Sequence, residues 1–236
     1  MRIYKTIFPL IAFSAVCIGL SGCSQRISAL NDTVELAFFG NKDVELTPEQ
    51  VSAVPYASIY AKIEDTPQAF MVLGFAEDKV NLSSAASEPN ALELKWLSAD
   101  KGMLITVNGR LVRTYNLLTG NLAALESSKP DPLLLGLHLD STPKTWTRTI
   151  DWQPGYHYGY EVRSEFNLIA EGNIQVNGTS TQTLHYIENV SVESLNIKYQ
   201  NEFWLDPHDG KVIKSRQKIA PNLPFIDITL LRPFAA

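Results

Sequence analysis

The side chains that could do chemistry are few, and their spacing suits little of it. His138, His157, His185 and His208 each stand alone, with no second histidine or cysteine three to five positions away, the interval at which one helix or turn presents two ligands to zinc. No metal and no cofactor is expected. His138 and Asp140 would share a face if they lay on a strand, so a dyad is sterically feasible, but no serine occupies a G-x-S-x-G elbow beside them. The run Asp206-Pro207-His208-Asp209-Gly210 lacks the alternating acids and the closing glutamate of a calcium loop, and Lys218 lies nearby instead. A hairpin turn accounts for its proline and glycine. Phosphate-binding glycine loops are absent, so nucleotide cofactors are not expected.

Two patterns remain that could bind rather than catalyse. Trp146, Arg148, Ile150 and Trp152 would share one strand face, and an arginine between tryptophans on a nominally inward face marks a rim or a ligand groove. Sugar rings stack their C–H faces on aromatics while their hydroxyls bond to polar neighbours, so these positions are candidates for glycan contact; core packing is the competing use of a tryptophan. Lys214, Arg216 and Lys218 form a basic ladder on one face of a strand, opposite Ile213, Ser215, Gln217 and Ile219, and such a stripe on an acidic protein could meet an anionic glycan or an acidic partner. With Arg110 and Arg113, the candidate glycan or partner contacts are Trp146, Arg148, Trp152, Arg110, Arg113 and Arg216. A polysaccharide hydrolase would instead need two carboxylates about 5–10 Å apart across a groove, for which Glu161, Glu165, Glu171 and Asp151 are the acids to inspect.

The elements that must position these residues are mostly strands. Helical spacing is confined to Ser24–Gly40 and to a short helix from Thr47, whose hydroxyl can cap the amide of Gln50 with Pro48 at the first helical position and Pro55 beyond the end. After that the period changes. Ala57–Ile63 alternates, Phe70–Phe75 is a continuous apolar run, and Leu92–Leu97 precedes a hairpin in which Met103–Val107 and Arg110–Tyr115 flank Asn108-Gly109, a pair that readily takes the positive φ angles of a type I′ turn. Asn121–Gly136 reads as irregular, and Ser127–Pro143 as a domain boundary or mobile loop. Strand patterns then occupy Thr145–Trp152, Tyr156–Leu168, Thr181–Val192, Leu195–Leu205 and Lys211–Ile219, with Tyr156, Tyr158, Tyr160, Val162, Phe166 and Leu168 expected on one inward face. Strand follows strand without intervening helices, so the expected fold is mainly β: a single antiparallel curved sandwich or partly open barrel with a short N-terminal helical segment.

Composition sets the compartment. The chain has 236 residues with a net charge of −5, and a pI near 5.4 excludes the basic field that nucleic acid requires. Arg2 and Lys5 precede an apolar run from Ile7 to Leu20 that is too short and too broken to span a bilayer, as a secretory signal is. It ends in Leu20-Ser21-Gly22-Cys23, which resembles the bacterial lipobox, in which cleavage precedes a cysteine that then carries acyl chains. Residues 1–22 are therefore expected to be a lipoprotein signal peptide, and 23–236 a single β-rich periplasmic domain anchored through Cys23. Two or three acyl chains hold such a body stably, and Ser24, where aspartate would signal inner-membrane retention, favours the outer membrane.

Several segments resemble the YjbF/GfcB family of group 4 capsule and exopolysaccharide lipoproteins: Pro55-Tyr56-Ala57-Ser58-Ile59-Tyr60, Pro67-Gln68-Ala69-Phe70-Met71-Val72-Leu73-Gly74, Asn108-Gly109-Arg110-Leu111-Val112-Arg113-Thr114, Phe203-Trp204-Leu205-Asp206-Pro207 through Gly210, Ser215-Arg216-Gln217, and Leu230-Leu231-Arg232-Pro233. The resemblance implies a non-enzymatic lipoprotein of a Gram-negative outer membrane, facing the periplasm and taking part in capsule or exopolysaccharide assembly or export. Its implied partners are outer-membrane lipid through Cys23, an outer-membrane barrel or periplasmic export proteins, and the polysaccharide itself. The alternative is a carrier for a lipid or lipoprotein acyl chain, which a deep apolar cavity would favour.

Overall fold

The computed structural model describes residues 43–78 and 91–235. Cys23 and the helix expected over 24–40 lie outside them. Helix α1 (Pro48–Ala53) starts as expected: the Thr47 hydroxyl accepts from Gln50 N while Gln50 Oε1 accepts from Thr47 N. Among the described residues twelve strands follow: β1 (Ser58–Ile63), β2 (Ala69–Asp78), β3 (Leu92–Leu97), β4 (Met103–Val107), β5 (Arg110–Tyr115), β6 (Asn121–Glu126), β7 (Thr145–Gln153), β8 (His157–Val176), β9 (Thr179–Val192), β10 (Ile197–Leu205), β11 (Val212–Lys218) and β12 (Phe225–Arg232).

They form one antiparallel sheet in the order β5-β4-β3-β2-β1-β12-β11-β10-β9-β8-β7-β6. Each strand pairs with its chain neighbour except at two places. β1 pairs with β12, joining the ends of the sequence, and β5 and β6 face each other across a seam without a backbone ladder. Side chains bridge that seam: Leu122 N donates to Thr114 Oγ1 at 3.0 Å, and Thr114 Oγ1 donates to Asn121 Oδ1 at 3.2 Å. The sheet is thus nearly closed into a barrel. Closure protects strand edges that would otherwise invite pairing with other chains.

Alternation places one face of every strand inside. Ile59, Ala61, Met71, Trp96, Leu104, Ile150, Trp152, Val162, Val190 and Ile226 join in the main core. The barrel is flattened enough for opposite walls to touch. Gln217 of β11 accepts from Leu111 N at 3.0 Å and donates to Gly109 O at 2.9 Å. Gly109 has φ +81°, and any Cβ there would overlap the Val212 side chain, so the Asn108-Gly109 turn requires glycine for both backbone conformation and approach.

Several expectations change. Asn121–Glu126 is a strand, not an irregular stretch, and β12, an apolar–polar alternation from Phe225 to Arg232, was not expected from the sequence at all. The stretch Ser127–Pro143 is tied down: Leu133 and Leu137 are fully buried against Trp146, Phe166 and Phe203, and Asn108 Nδ2 donates to the Leu133 carbonyl. On β8 the inward face is confined to the middle of the strand. Val162 and Phe166 are buried, but Tyr156, Tyr158 and Leu168 are exposed: Tyr156 lies in the β7–β8 turn, a bulge opposite Ile150–Trp152 puts His157 rather than Tyr158 beside buried Trp152, and Leu168 lies beyond the last residue paired with β7.

Candidate functional site

The candidate contact residues divide between the inside and the outside of the barrel. Arg110, Trp146, Arg148 and Trp152 all point inward and are buried. They are therefore not a surface on which a glycan can lie, and the sequence expectation for these four is corrected. Position explains the arginine between tryptophans. Arg148 Nη1 lies 3.2 Å from Glu188 Oε1 and donates to Ser164 Oγ at 2.6 Å, while Arg110 Nη1 donates to Glu188 Oε2 at 2.7 Å. Arg110 Nε also donates to Asp131 Oδ2 at 2.7 Å, and Asn201 Nδ2 donates to Glu188 Oε2 at 2.8 Å. Two arginines and two carboxylates thus neutralise one another within the core.

Aromatic rings wall this cluster. The Arg110 guanidinium lies 4.9 Å from the Phe203 ring centroid and 5.1 Å from that of Trp146, and Arg148 lies 4.6 Å from Trp146. Glu188 is fully buried, which by itself would raise its pKa; the charges of Arg110 and Arg148, with the hydrogen bond from Arg110, outweigh burial and push it down to about 2. For Arg110, burial opposes the cation, yet Asp131 and Glu188 together raise its pKa above the ordinary value. Glu188 is thereby held ionised, the wrong state for a general acid at neutral pH.

Sequence reading missed Glu188, Asp131 and Asn201. A signal was present: Glu188 shares the face of Tyr186, Val190 and Val192, and an acid in an otherwise apolar period-2 row asks for a buried cation.

The acids inspected for hydrolysis are elsewhere. Glu161 and Glu165 point outward, Glu161 pairs with Arg163 at 2.9 Å, Glu171 lies on the exposed part of β8, and Asp151 accepts from Gly159 N at 2.6 Å. His138 and Asp140 lie in turns rather than on a strand; His138 packs against Gly210, with Nδ1 buried and without a hydrogen bond. Asp206–Gly210 is the expected turn, with Asp206 N bonded to Lys211 O at 2.8 Å. Among the described residues no group of three or more His, Cys, Asp or Glu side chains could hold a metal.

Arg113 and Arg216 are only partly buried, and Arg216 belongs to the basic ladder on the outer face of β11. Register sets its neighbours: Lys214 lies beside Trp204 of β10, Arg216 between Glu202 of β10 and Asp227 of β12, and Lys218 beside Phe225. Lys214 Nζ sits 5.2 Å from the Trp204 ring centroid, and Lys218 Nζ 4.4 Å from that of Phe225. Arg216 pairs with Asp227 at 2.9 Å and with Glu64 at 3.4 Å. His185 stacks on Trp204 at 4.2 Å and 15° and bonds to Glu202 at 2.8 Å. The result is an outward stripe of two tryptophan- and phenylalanine-backed lysines around an ion-paired arginine. Trp204 is the one tryptophan on this outer surface, since Trp96, Trp146 and Trp152 are core.

Two recesses enter the barrel interior from opposite ends. One, about 270 Å3, is lined by Ile59, Trp96, Val212 and Ile228 near the Asn108-Gly109 turn. The other, about 360 Å3, lies under the β5–β6 loop and is lined by Ala61, Ala69, Met71, Leu104 and Ile226.

This architecture recurs in solved structures and sequences. The crystal structure of the hypothetical lipoprotein YmcC from Escherichia coli (K12) superposes with a TM-score of 0.67 at 29% identity, covering 81% of this chain and 91% of that one. Over 226 residues the chain is 30% identical to the lipoprotein GfcB of Escherichia coli (strain K12), spanning 95% of this chain and 98% of GfcB. It is 29% identical over 223 residues to the lipoprotein YjbF of the same organism, spanning 94% and 96%. The model of the family described as group 4 capsule polysaccharide lipoprotein GfcB, YjbF matches residues 31–231, which takes in the barrel strands in full but for the last residue of β12, and the chain therefore belongs to the YjbF family.

Proposed function

We propose that the protein is a non-enzymatic lipoprotein, acylated at Cys23 and held on the periplasmic face of the outer membrane, that takes part in assembling or exporting a capsule or exopolysaccharide. Family membership carries this reading. The geometry supports it in two ways. The charged groups of the interior are spent on one another, and the outer β10–β12 face presents Trp204, Lys214, Arg216 and Lys218 as a stripe suited to an anionic glycan or an acidic export partner. Burial lowers the pKa of Lys218, Glu64 opposes that shift and Arg216 adds to it.

The test is capture of partners from detergent-solubilised outer membranes by the lipidated chain, with protein and sugar both analysed, beside Lys214→Glu/Arg216→Glu. A barrel or periplasmic export protein retained by the wild type and lost from the variant is expected. Equal capture by both moves contact away from this face; recovery of neither protein nor sugar removes the export reading. Attachment is separate: Cys23→Ser is expected to leave the membrane fraction, and persistence there would overturn acylation.

A further inference from the structure

The end of the barrel that carries the β1–β2, β3–β4, β5–β6 and β7–β8 turns has an unusual surface. Leu118, in the β5–β6 loop, is fully exposed (104%), and Tyr156, in the β7–β8 turn, nearly so (92%). Tyr115 and Tyr158, on the strands that lead into these turns, are also exposed. The two turns adjoin: Asn121 pairs with Gln153, and a Cβ on Gly120 would contact Gln153 O and Pro154. Four large apolar or amphipathic groups thus gather at one end, with rings of the kind that sit at a membrane–water interface.

The 360 Å3 recess opens at this same end, beside Leu117 and Leu118. Its walls are Ala61, Ile63, Ala69, Met71, Leu104 and Ile226, all from inward faces. Ala61 and Ala69 stand directly opposite one another on β1 and β2, and two small residues in register leave open the space that larger core side chains would close. Ser98, Asp100 and Asn116 stand at the mouth; Asp100 Oδ1 accepts from Ser98 Oγ at 2.5 Å and from Gly102 N at 3.1 Å. An apolar interior with a polar, acidic mouth suits a hydrocarbon chain whose headgroup carries an amine.

The described chain also begins at this end: Asp43 accepts from Gln68 N of the β1–β2 turn at 2.6 Å and pairs with Lys62 at 3.1 Å.

From these features we infer that the recess is a binding site for one acyl chain of an amine-headed membrane phospholipid, entered between Leu118 and the β3–β4 turn. The inference uses the membrane attachment proposed above to name the source, while the site itself depends only on the barrel.

The test is calorimetric titration of the full mature chain carrying Cys23→Ser, which keeps its own acyl groups out of the site, with monomeric lysophosphatidylethanolamine. Saturable one-to-one binding is expected. Ala61→Leu and Ala69→Leu, which fill the recess, should each weaken it by about tenfold or more while leaving Tm unchanged or raised. Leu118→Ser, an exposed change that does not disturb packing, should weaken binding without moving Tm. Unchanged affinity in the filled variants, or no binding by the folded wild-type chain, overturns the inference and leaves this end to a protein partner. Equal affinity for lysophosphatidylglycerol overturns the amine preference. Because acylation is read by membrane fractionation, its failure and that of the acyl-chain site are separable.

Discussion

Replacing Glu188 by glutamine tests the interior most directly. The carboxylate is fully buried between Arg110 and Arg148, and the two arginines are unequally dependent on it. Arg110 keeps Asp131 when Glu188 is neutralised; Arg148 keeps the Ser164 hydroxyl and the Trp146 ring but no carboxylate, and its Nε already lacks a partner. The variant therefore strands one buried cation, a change that costs about 3–5 kcal/mol. For a body of this size that corresponds to a Tm lower by roughly 6–20 °C. Acid provides a second reading of the same pair. The folded pKa of Glu188, about 2, lies below the unfolded carboxylate value, so its contribution is complete above the unfolded pKa and is lost as pH falls toward the folded one. Wild type should lose on the order of 3 kcal/mol from this group between about pH 5 and pH 2, and Glu188→Gln should lack that component. Urea unfolding followed by tryptophan fluorescence, at neutral and acid pH, measures both. Glu188→Leu/Arg148→Met, which removes both charges, should be more stable than Glu188→Gln. A Glu188→Gln protein within about 1 kcal/mol of wild type at neutral pH, with the same acid profile, would refute the buried ion cluster.

Other predictions are smaller. Gly109→Ala should destabilise by several kcal/mol, because it adds overlap with Val212 to a positive φ, whereas Gly159→Ala, with φ +67° and open space around it, should cost only about 1 kcal/mol of backbone strain. Similar losses at both positions in urea unfolding would show that the close approach of the β4–β5 turn to β11 is not formed. Thr47→Ala should remove the capping box of α1 at a cost of about 1 kcal/mol, seen as faster hydrogen exchange at the Gln50 and Val51 amides with the barrel amides unaffected. Exchange that quickens throughout the barrel would mean that α1 is required for closure.

The legible and illegible parts of this molecule differ by the range of the interaction involved. The α1 cap, the Asn108-Gly109 turn and the Asp206–Gly210 turn were readable because each is decided within a few residues. Period-2 alternation identified most strands and assigned Ser215 and Gln217 to the face opposite Lys214, Arg216 and Lys218, as the barrel has it. It failed at the start of β8, where a bulge opposite Ile150–Trp152 breaks the alternation and turns His157 and Tyr160 inward while Tyr156 and Tyr158 are exposed. It also failed for Asn121–Glu126, where the prolines that follow drew the whole segment into a loop reading although the strand is held through β7 and the Thr114–Asn121 seam.

The candidate site shows the same division. Sequence marked Arg148 as anomalous among Trp146, Ile150 and Trp152, since a cation on an apolar face must be answered by something. What answers it is Glu188, 40 residues further along the chain on another strand, which also pairs with Arg110, itself balanced by Asp131 from a further element. Local pattern determines which residues form strands, turns and caps, because backbone geometry and hydrogen bonding are settled between near neighbours. Only closure of the sheet, which joins β1 to β12 and presses β5 toward β11, decides that four candidate contact residues are core and that the outer stripe and the Ala61–Ala69 recess stay open.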